Sequence, residues 1–182
     1  FGFTLPANFH APYRATSLRD FWRRWHITLG SWVRDYLYIP LGGNRSGRWR
    51  TAGNIIVVMA LFALWHGAAW QFLIWGGVHG LLLAAERLAR PLGLRKRLPT
   101  VLRAGLTFLV VTLAWVLFRA DSLGEAGRYY ASLMGDPAPE GPAWWTRQLV
   151  VGPEGLVLLL LAALVTWGGH SPSRFVTESS PV

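Results

Sequence analysis

The sequence predicts an all-α protein, a multi-pass transmembrane helical bundle with re-entrant and interfacial amphipathic helices. Of its 182 residues, 52% are hydrophobic and only 15% are charged, whereas soluble domains usually carry about 25% charged residues. The charges are grouped in blocks, and three long stretches between the blocks contain none. This composition excludes a disordered chain and predicts the lipid bilayer as a partner. A net charge of +9 also suits nucleic-acid binding, but that function needs the charge on one water-soluble face, so no nucleic-acid partner is predicted.

The first predicted element is an interfacial amphipathic helix over residues 17–36. Ser17 followed by Asp20 has the form of a helix-capping box. Apolar residues then recur at helical spacing and arginines occupy the other side, a pattern typical of a helix in the membrane interface. Packing against the rest of the protein is a compatible alternative. A proline and a glycine pair within residues 40–43 are predicted to end the helix. The apolar set is Leu18, Phe21, Trp22, Trp25, Leu29, Trp32, Val33 and Tyr36.

The second predicted element is segment 51–86, which is free of charge from Thr51 to Ala85. Roughly 20 apolar residues cross a bilayer core, so this run is too long for one span and too short for two full ones. Gly67 and the pair Gly76–Gly77 provide breaks. The segment is therefore predicted to be a re-entrant hairpin that lines a cavity, where irregular backbone is tolerated within the membrane. The alternative is one long tilted helix.

The distribution of charge predicts the remaining elements. Basic residues collect on the cytoplasmic side of membrane proteins, which places there both residues 1–50 and the basic block that follows residue 86. Residues 101–118 and 155–170 are predicted transmembrane helices. Between them, residues 119–154 are a predicted outer-side loop, because acids there outnumber basic residues. Together, residues 1–182 are predicted to form a single membrane-embedded unit.

Histidines are the candidate chemical groups, because the imidazole titrates near neutral pH. His66 lies within the charge-free run, and an ionisable group at that depth is a functional candidate by default. Its neutral ring, favoured away from water, can accept a proton; the alternative is a buried histidine bonded to a carbonyl. His26 stands alone beside the aromatic set, where a histidine is more often structural. His66 and His79 lie on different sides of a continuous helix and the chain has no Cys, so no metal site is predicted.

Three ordered motifs carry a resemblance to a known family. They are Phe21-Trp22-Arg23-Arg24-Trp25-His26, then Asp35-Tyr36-Leu37-Tyr38-Ile39-Pro40-Leu41-Gly42-Gly43-Asn44-Arg45, then Leu64-Trp65-His66-Gly67. Over about residues 1–135 the chain resembles the membrane-bound O-acyltransferase (MBOAT) family, in the bacterial branch that acetylates alginate and other polysaccharides. Members of that family are much longer, so this chain is expected to be the C-terminal part of a larger acyltransferase.

The resemblance implies an enzyme, a multi-spanning O-acyltransferase of the bacterial inner (cytoplasmic) membrane with a tunnel through it. His66 matches the family's catalytic histidine, and His26 matches its second functional histidine. The implied reaction moves an acetyl or other short acyl group from a cytoplasmic-side thioester, acetyl-CoA or an acyl-carrier thioester, to hydroxyls of an exported polysaccharide such as alginate. No bound cofactor is implied, and periplasmic or extracellular acetylation proteins are expected partners.

The residues and the resemblance together suggest roles within the site. His66 is expected to act as general base on the acceptor hydroxyl, and His26 to orient the donor or stabilise developing charge. Trp65 and Asn44 are candidate hydrogen-bond donors to the oxyanion. Three arginines are candidates for binding the donor's phosphates or an acidic carrier, with anionic lipid as an equal alternative. They are Arg23, Arg24 and Arg45.

Two other functions stay open at this point. One is D-alanyl transfer to teichoic acid on the same fold, which the motifs do not exclude. The other is a non-enzymatic transport or scaffold segment in which His66 lines a proton or substrate path. Such a segment would move its substrate without covalent acyl transfer.

Overall fold

A computed structural model describes residues 6–93, residues 97–134 and Val157, and all its regular elements in those ranges are helical. This confirms the predicted all-α fold for the described residues. The chain divides into two compact units, residues 1–123 and 124–182, and the single membrane-embedded unit stays a prediction. The helices are α1 (Leu18–Arg24), α2 (Ile27–Val33), α3 (Arg48–His66), α4 (Trp70–Ala89), α5 (Thr100–Arg119) and α6 (Leu123–Leu133), with short 3₁₀ turns at Pro12–Arg14 and Arg90–Leu92 and a π-helix at Arg34–Tyr38.

The single helix predicted over residues 17–36 is interrupted, and this part of the prediction is corrected. Its start is as predicted, because the Ser17 hydroxyl accepts a 2.8 Å hydrogen bond from the Asp20 N–H. At His26, however, the backbone adopts a left-handed conformation with φ of 50°. The Ile27 N–H then donates to the Asn8 carbonyl at 2.9 Å instead of continuing the helix. The region therefore forms α1, α2 and the π-helix, and its position in the membrane interface stays a prediction.

The charge-free run forms a hairpin of two helices, so the alternative of one long tilted helix is wrong. Residues 67–69 separate α3 from α4, which have 19 and 20 residues and are about 28 and 30 Å long. A Cβ at Gly67 would lie 2.6 Å from the Phe72 ring. Glycine at this position therefore lets Phe72, in the first turn of α4, pack directly against the backbone that joins the two helices. How deeply this hairpin enters the membrane stays a prediction.

The predicted break at Gly76–Gly77 is wrong, because both residues lie inside α4. Gly76 faces α3 at very close range: a Cβ there would stand 2.4 Å from the Ala63 Cβ and 2.6 Å from the Met59 carbonyl oxygen. Gly80, one turn later, also approaches α3, where a Cβ would lie 3.1 Å from the Ile56 Cα. Glycines spaced four residues apart let helix backbones approach closely, which is a common packing mode in membranes. Gly76 therefore serves the contact between the two helices.

Among the described residues, two helical segments are long and apolar enough to cross a membrane, Trp70–Leu92 and Thr100–Arg119. The second coincides with the span predicted at residues 101–118. Helix α6 lies within the predicted outer-side loop, whose residues 135–154 are outside the described part of the chain. The span predicted at residues 155–170 also lies outside the described residues, except for Val157.

Helix α1 is fixed at its start by a carboxylate from α4. The Glu86 side chain accepts hydrogen bonds from the Leu18 N–H at 3.1 Å and the Arg19 N–H at 3.3 Å, which satisfies two of the N–H groups that a helix start leaves without partners. Phe21, on the buried face of α1, packs in a cluster that includes Val111 of α5. These contacts hold α1 against α4 and α5.

Candidate active site

His66 is the last residue of α3 and lies in a cage of aromatic rings. Its half-buried imidazole makes edge-to-face contacts with four rings at centroid distances of 4.8 to 5.5 Å. These rings come from α3, α4 and α5, so three helices fix the orientation of the imidazole. The four rings belong to Phe62, Trp65, Trp75 and Phe118.

A backbone carbonyl determines which nitrogen of His66 carries the proton. The Nδ1 atom lies 2.9 Å from the Phe62 carbonyl oxygen. A carbonyl oxygen only accepts hydrogen bonds, so Nδ1 must donate. In the neutral ring Nε2 is then unprotonated, and its lone pair can accept a proton. This is the protonation pattern that a general base requires.

His26 has the complementary arrangement. The Thr28 N–H donates to the Asn8 side-chain oxygen at 3.1 Å, so the Asn8 amide nitrogen is the atom that faces His26 Nδ1, at 3.5 Å. An amide nitrogen only donates, and Nδ1 of His26 is therefore an acceptor, which leaves the proton of the neutral ring on Nε2. One ring can thus accept a proton while the other offers one.

A groove of about 740 Å³ opens beside His26. Its floor is apolar and includes Phe62 of α3, while its rim is basic. Five arginines from two separate basic segments line it, against the two acids Asp20 and Glu86, so the groove carries net positive charge. The arginines are Arg19, Arg23, Arg34, Arg87 and Arg90.

Both groove acids are engaged with donors of the protein itself. Glu86 binds the start of α1, and Asp20 accepts from the Arg24 guanidinium at 2.9 Å and from the Thr16 N–H at 3.1 Å. Burial raises the pKa of Asp20, but these hydrogen bonds and the neighbouring arginine charges more than offset that effect and hold the pKa below its ordinary value. The arginine rim therefore has the character of an anion-binding surface.

The structure brings together some of the predicted site residues and separates others. His26, Arg23 and Asn44 line the groove. Outside its lining are Arg45; Arg24, which pairs with Asp20; and Trp65, which is 66% exposed and stacked on Phe62. His66 is also outside the lining, but Phe62 connects the two places, since it lines the groove and its carbonyl accepts the hydrogen bond from His66.

Sequence reasoning missed a buried pair and part of the basic rim. Trp22 donates a hydrogen bond to His79, which is 1% exposed, and this long-range contact had no local signal. Arg87 and Arg90 were assigned only to the cytoplasmic block, although their spacing of three residues places them on one helix face. Trp75, which contacts both His66 and His79, was also missed.

In the described ranges, no group of three His, Cys, Asp or Glu side chains is placed to hold a metal ion.

The fold and this site define a helical protein with two helices that are long and apolar enough to cross a membrane, and with a histidine whose Nε2 is unprotonated in the neutral ring. Residues 1–119 match MBOAT, the membrane-bound O-acyltransferase family, and the chain belongs to that family. It is 49% identical over 132 residues to the probable alginate O-acetylase AlgI of Azotobacter vinelandii, an alignment that covers 72% of this chain and 26% of that protein.

Two further relatives have other named substrates. A peptidoglycan O-acetyltransferase of Helicobacter pylori is 44% identical over 138 residues, which cover 74% of this chain and 26% of the relative. A teichoic acid D-alanyltransferase of Bacillus subtilis is 36% identical over 89 residues, which cover 45% of this chain and 22% of the relative. The chain thus spans about a quarter of the length of the curated relatives it matches.

Proposed function

We propose that this chain is part of a bacterial O-acyltransferase of the cytoplasmic membrane that moves an acetyl or other short acyl group from a thioester to hydroxyls of an exported polysaccharide. The observation that carries the proposal is the hydrogen bond from His66 Nδ1 to the Phe62 carbonyl, because it leaves Nε2 free to act as a base. The similarity to two named O-acetylases covers more of the chain than the similarity to a D-alanyltransferase, and favours acetyl over D-alanyl transfer.

In the proposed reaction, His66 Nε2 takes the proton of the acceptor hydroxyl while the hydroxyl oxygen attacks the acyl carbon. The tetrahedral intermediate then collapses, the carbon–sulfur bond breaks, and the thiol leaves with the proton held by His66. The Nε2–H of His26 would donate to the acyl oxygen as negative charge develops there. The hydroxyl of an exported polysaccharide, alginate or a peptidoglycan sugar, would enter from the outer side, where acetylation partner proteins are expected.

The basic groove is the proposed donor site. Acyl thioesters of the cytoplasm carry phosphate groups, either on coenzyme A or on the phosphopantetheine arm of a carrier protein. The arginine rim suits such anions, and the apolar floor suits an uncharged arm and acyl group. The positive-inside rule places these arginines on the cytoplasmic side, where the donor is made. The chemistry needs no bound cofactor beyond this donor.

The groove predicts different effects on donor binding for two of the three arginines that the sequence suggested, Arg23 and Arg45. Replacing Arg23 by glutamine in the full-length protein is expected to raise the KM for the thioester donor by roughly tenfold, because the substitution removes a charge-assisted contact worth about 1.5–3 kcal/mol. The matched variant Arg45→Gln is expected to leave this KM unchanged, since Arg45 does not line the groove. Steady-state kinetics at varied donor concentration measures both, and equal effects of the two variants would remove the groove as the donor site.

The reaction class is tested in the bacterial host with the full-length protein. Acetyl groups on the exported polysaccharide and on peptidoglycan are measured in the presence and absence of the protein, together with the amount of polymer exported. We expect acetyl groups to disappear from one polymer while its export continues. Lost export with unchanged acetylation of the remaining polymer would support the transport function instead. Loss of D-alanine from teichoic acid, with acetyl groups unchanged, would replace acetyl by D-alanyl transfer.

A further inference from the structure

The proposed reaction does not use the most deeply buried histidine of the described chain. His79, on α4, is 1% exposed, and its Nδ1 lies 3.3 Å from the indole Nε1 of Trp22 on α1. An indole N–H only donates, so His79 Nδ1 is the acceptor and the proton of the neutral ring is on Nε2. A polar pair at this burial is costly to leave half-satisfied. The contact therefore fixes the orientation of both rings.

Trp22 stands between the groove and the cage around His66. Trp22 lines the groove, and its ring packs edge-to-face on Phe62 at 5.5 Å and on Trp75 at 5.8 Å. Phe62 and Trp75 are both in contact with the His66 imidazole. Any rotation of the Trp22 indole would thus move the two rings that orient His66 and would also change the groove wall.

We propose that His79 is a positioning residue for acyl transfer: by accepting the Trp22 N–H it holds the indole, and through Phe62 and Trp75 it aligns His66 with a donor in the groove. This inference rests on the proposed function. Its physical basis is that a reacting group displaced by about 1 Å can lose as much as 10²-fold in rate. His79 itself touches no substrate in this arrangement. Its contribution is to the geometry of the base.

The test compares two replacements of His79 in the full-length protein. His79→Asn keeps an acceptor, because the amide oxygen can occupy the place of Nδ1, whereas His79→Leu keeps bulk without an acceptor. We expect His79→Leu to lower kcat by about 10-fold to 100-fold with a smaller change in KM for the donor, since Trp22 also lines the groove, and His79→Asn to recover most of the loss in kcat. Trp22→Phe, which removes the donor of the same bond, should lower kcat to a similar extent.

The double variant decides whether the two residues act as one unit. Trp22→Phe combined with His79→Leu is expected to be no slower than the slower single variant, because both changes break the same bond. Losses that multiply, a His79→Asn variant as slow as His79→Leu, or a rise in KM alone would each overturn the positioning role. Rates are expressed per folded molecule, and if His79→Leu does not fold, Trp22→Phe supplies the same comparison.

The outcomes also distinguish this inference from the proposed function. A wild-type protein that transfers no acyl group from any thioester would reject the proposed function. A wild-type protein that transfers acyl groups at a rate that His79→Leu and Trp22→Phe leave unchanged would reject only the positioning role.

Discussion

Replacement of His66 by asparagine is expected to lower the rate of acyl transfer by about 10²–10⁴-fold, the usual contribution of a general base. The asparagine amide can still donate to the Phe62 carbonyl, so the variant keeps the hydrogen bond at the end of α3 and a side chain inside the aromatic cage. It has no basic nitrogen in place of Nε2. The substitution therefore removes the proton acceptor while it retains the structural contact.

This effect is measured on the full-length protein in proteoliposomes, with a radiolabelled acyl thioester and a hydroxyl acceptor under single-turnover conditions. The control is His10→Asn, the same change at an exposed histidine, which should leave the rate unchanged. If His66→Asn transfers acyl groups as fast as the control, His66 is a structural residue. The assignment of the general base to His66 would then be rejected.

Replacement of Gly76 by alanine is expected to destabilise the α3–α4 hairpin by about 1–3 kcal/mol or more, the usual cost of overpacking. The added methyl group would overlap the Ala63 Cβ and the Met59 carbonyl oxygen. Neither atom is the end of a flexible side chain, so the backbones must move apart. The gain of about 1 kcal/mol in helix propensity when glycine becomes alanine does not offset this displacement.

The neighbouring glycine provides the control for this experiment. A Cβ at Gly77 meets no atom within 4 Å, so Gly77→Ala should leave the stability unchanged or slightly raised. The thermal unfolding midpoint in detergent, followed by tryptophan fluorescence, compares both variants of the full-length protein with wild type. A Gly76→Ala protein that unfolds at the wild-type temperature would contradict the close helix contact at this position.

The parts of the fold that were predictable from sequence depend on short-range signals. The cap at Ser17 involves the N–H of Asp20, three residues later, and the span at residues 101–118 follows from a run of mostly apolar residues in which Arg103 is the one charge. Gly76 shows where such signals end. A glycine in an apolar run can break a helix or let a neighbouring helix pack closely. Gly76 does the second because it lies against Ala63 of α3, which its own sequence neighbourhood does not reveal. The kink at His26 is similar, because Asn8 is the residue that takes the Ile27 N–H away from the helix.

Only part of the candidate site could be predicted from the sequence, because the rest depends on contacts between residues far apart in the chain. Both histidines that match the family's motifs could be named from sequence, but their protonation patterns depend on the partners Phe62 and Asn8. Arg23 and Arg45 were equivalent as basic residues of one segment, and only the folded chain places the first at the groove and the second outside it. The bond between Trp22 and His79 joins two helices and has no periodicity to reveal it.

The hydrogen bond that sets the tautomer of His66 is made to the main chain, and this affects how the site responds to mutation. A side-chain acceptor can be lost in a single codon change, whereas a carbonyl four residues earlier is present whatever side chain replaces Phe62. Point mutations at residue 62 can change the shape of the groove and the cage, but they keep an acceptor for Nδ1 as long as α3 stays helical. The acceptor is lost only if the last turn of α3 unwinds, because any residue four positions before His66 in the helix supplies a carbonyl. Substitutions at residue 62 therefore leave the tautomer of His66 unchanged. The side chains that surround it can vary and so fit hydroxyl substrates of different size.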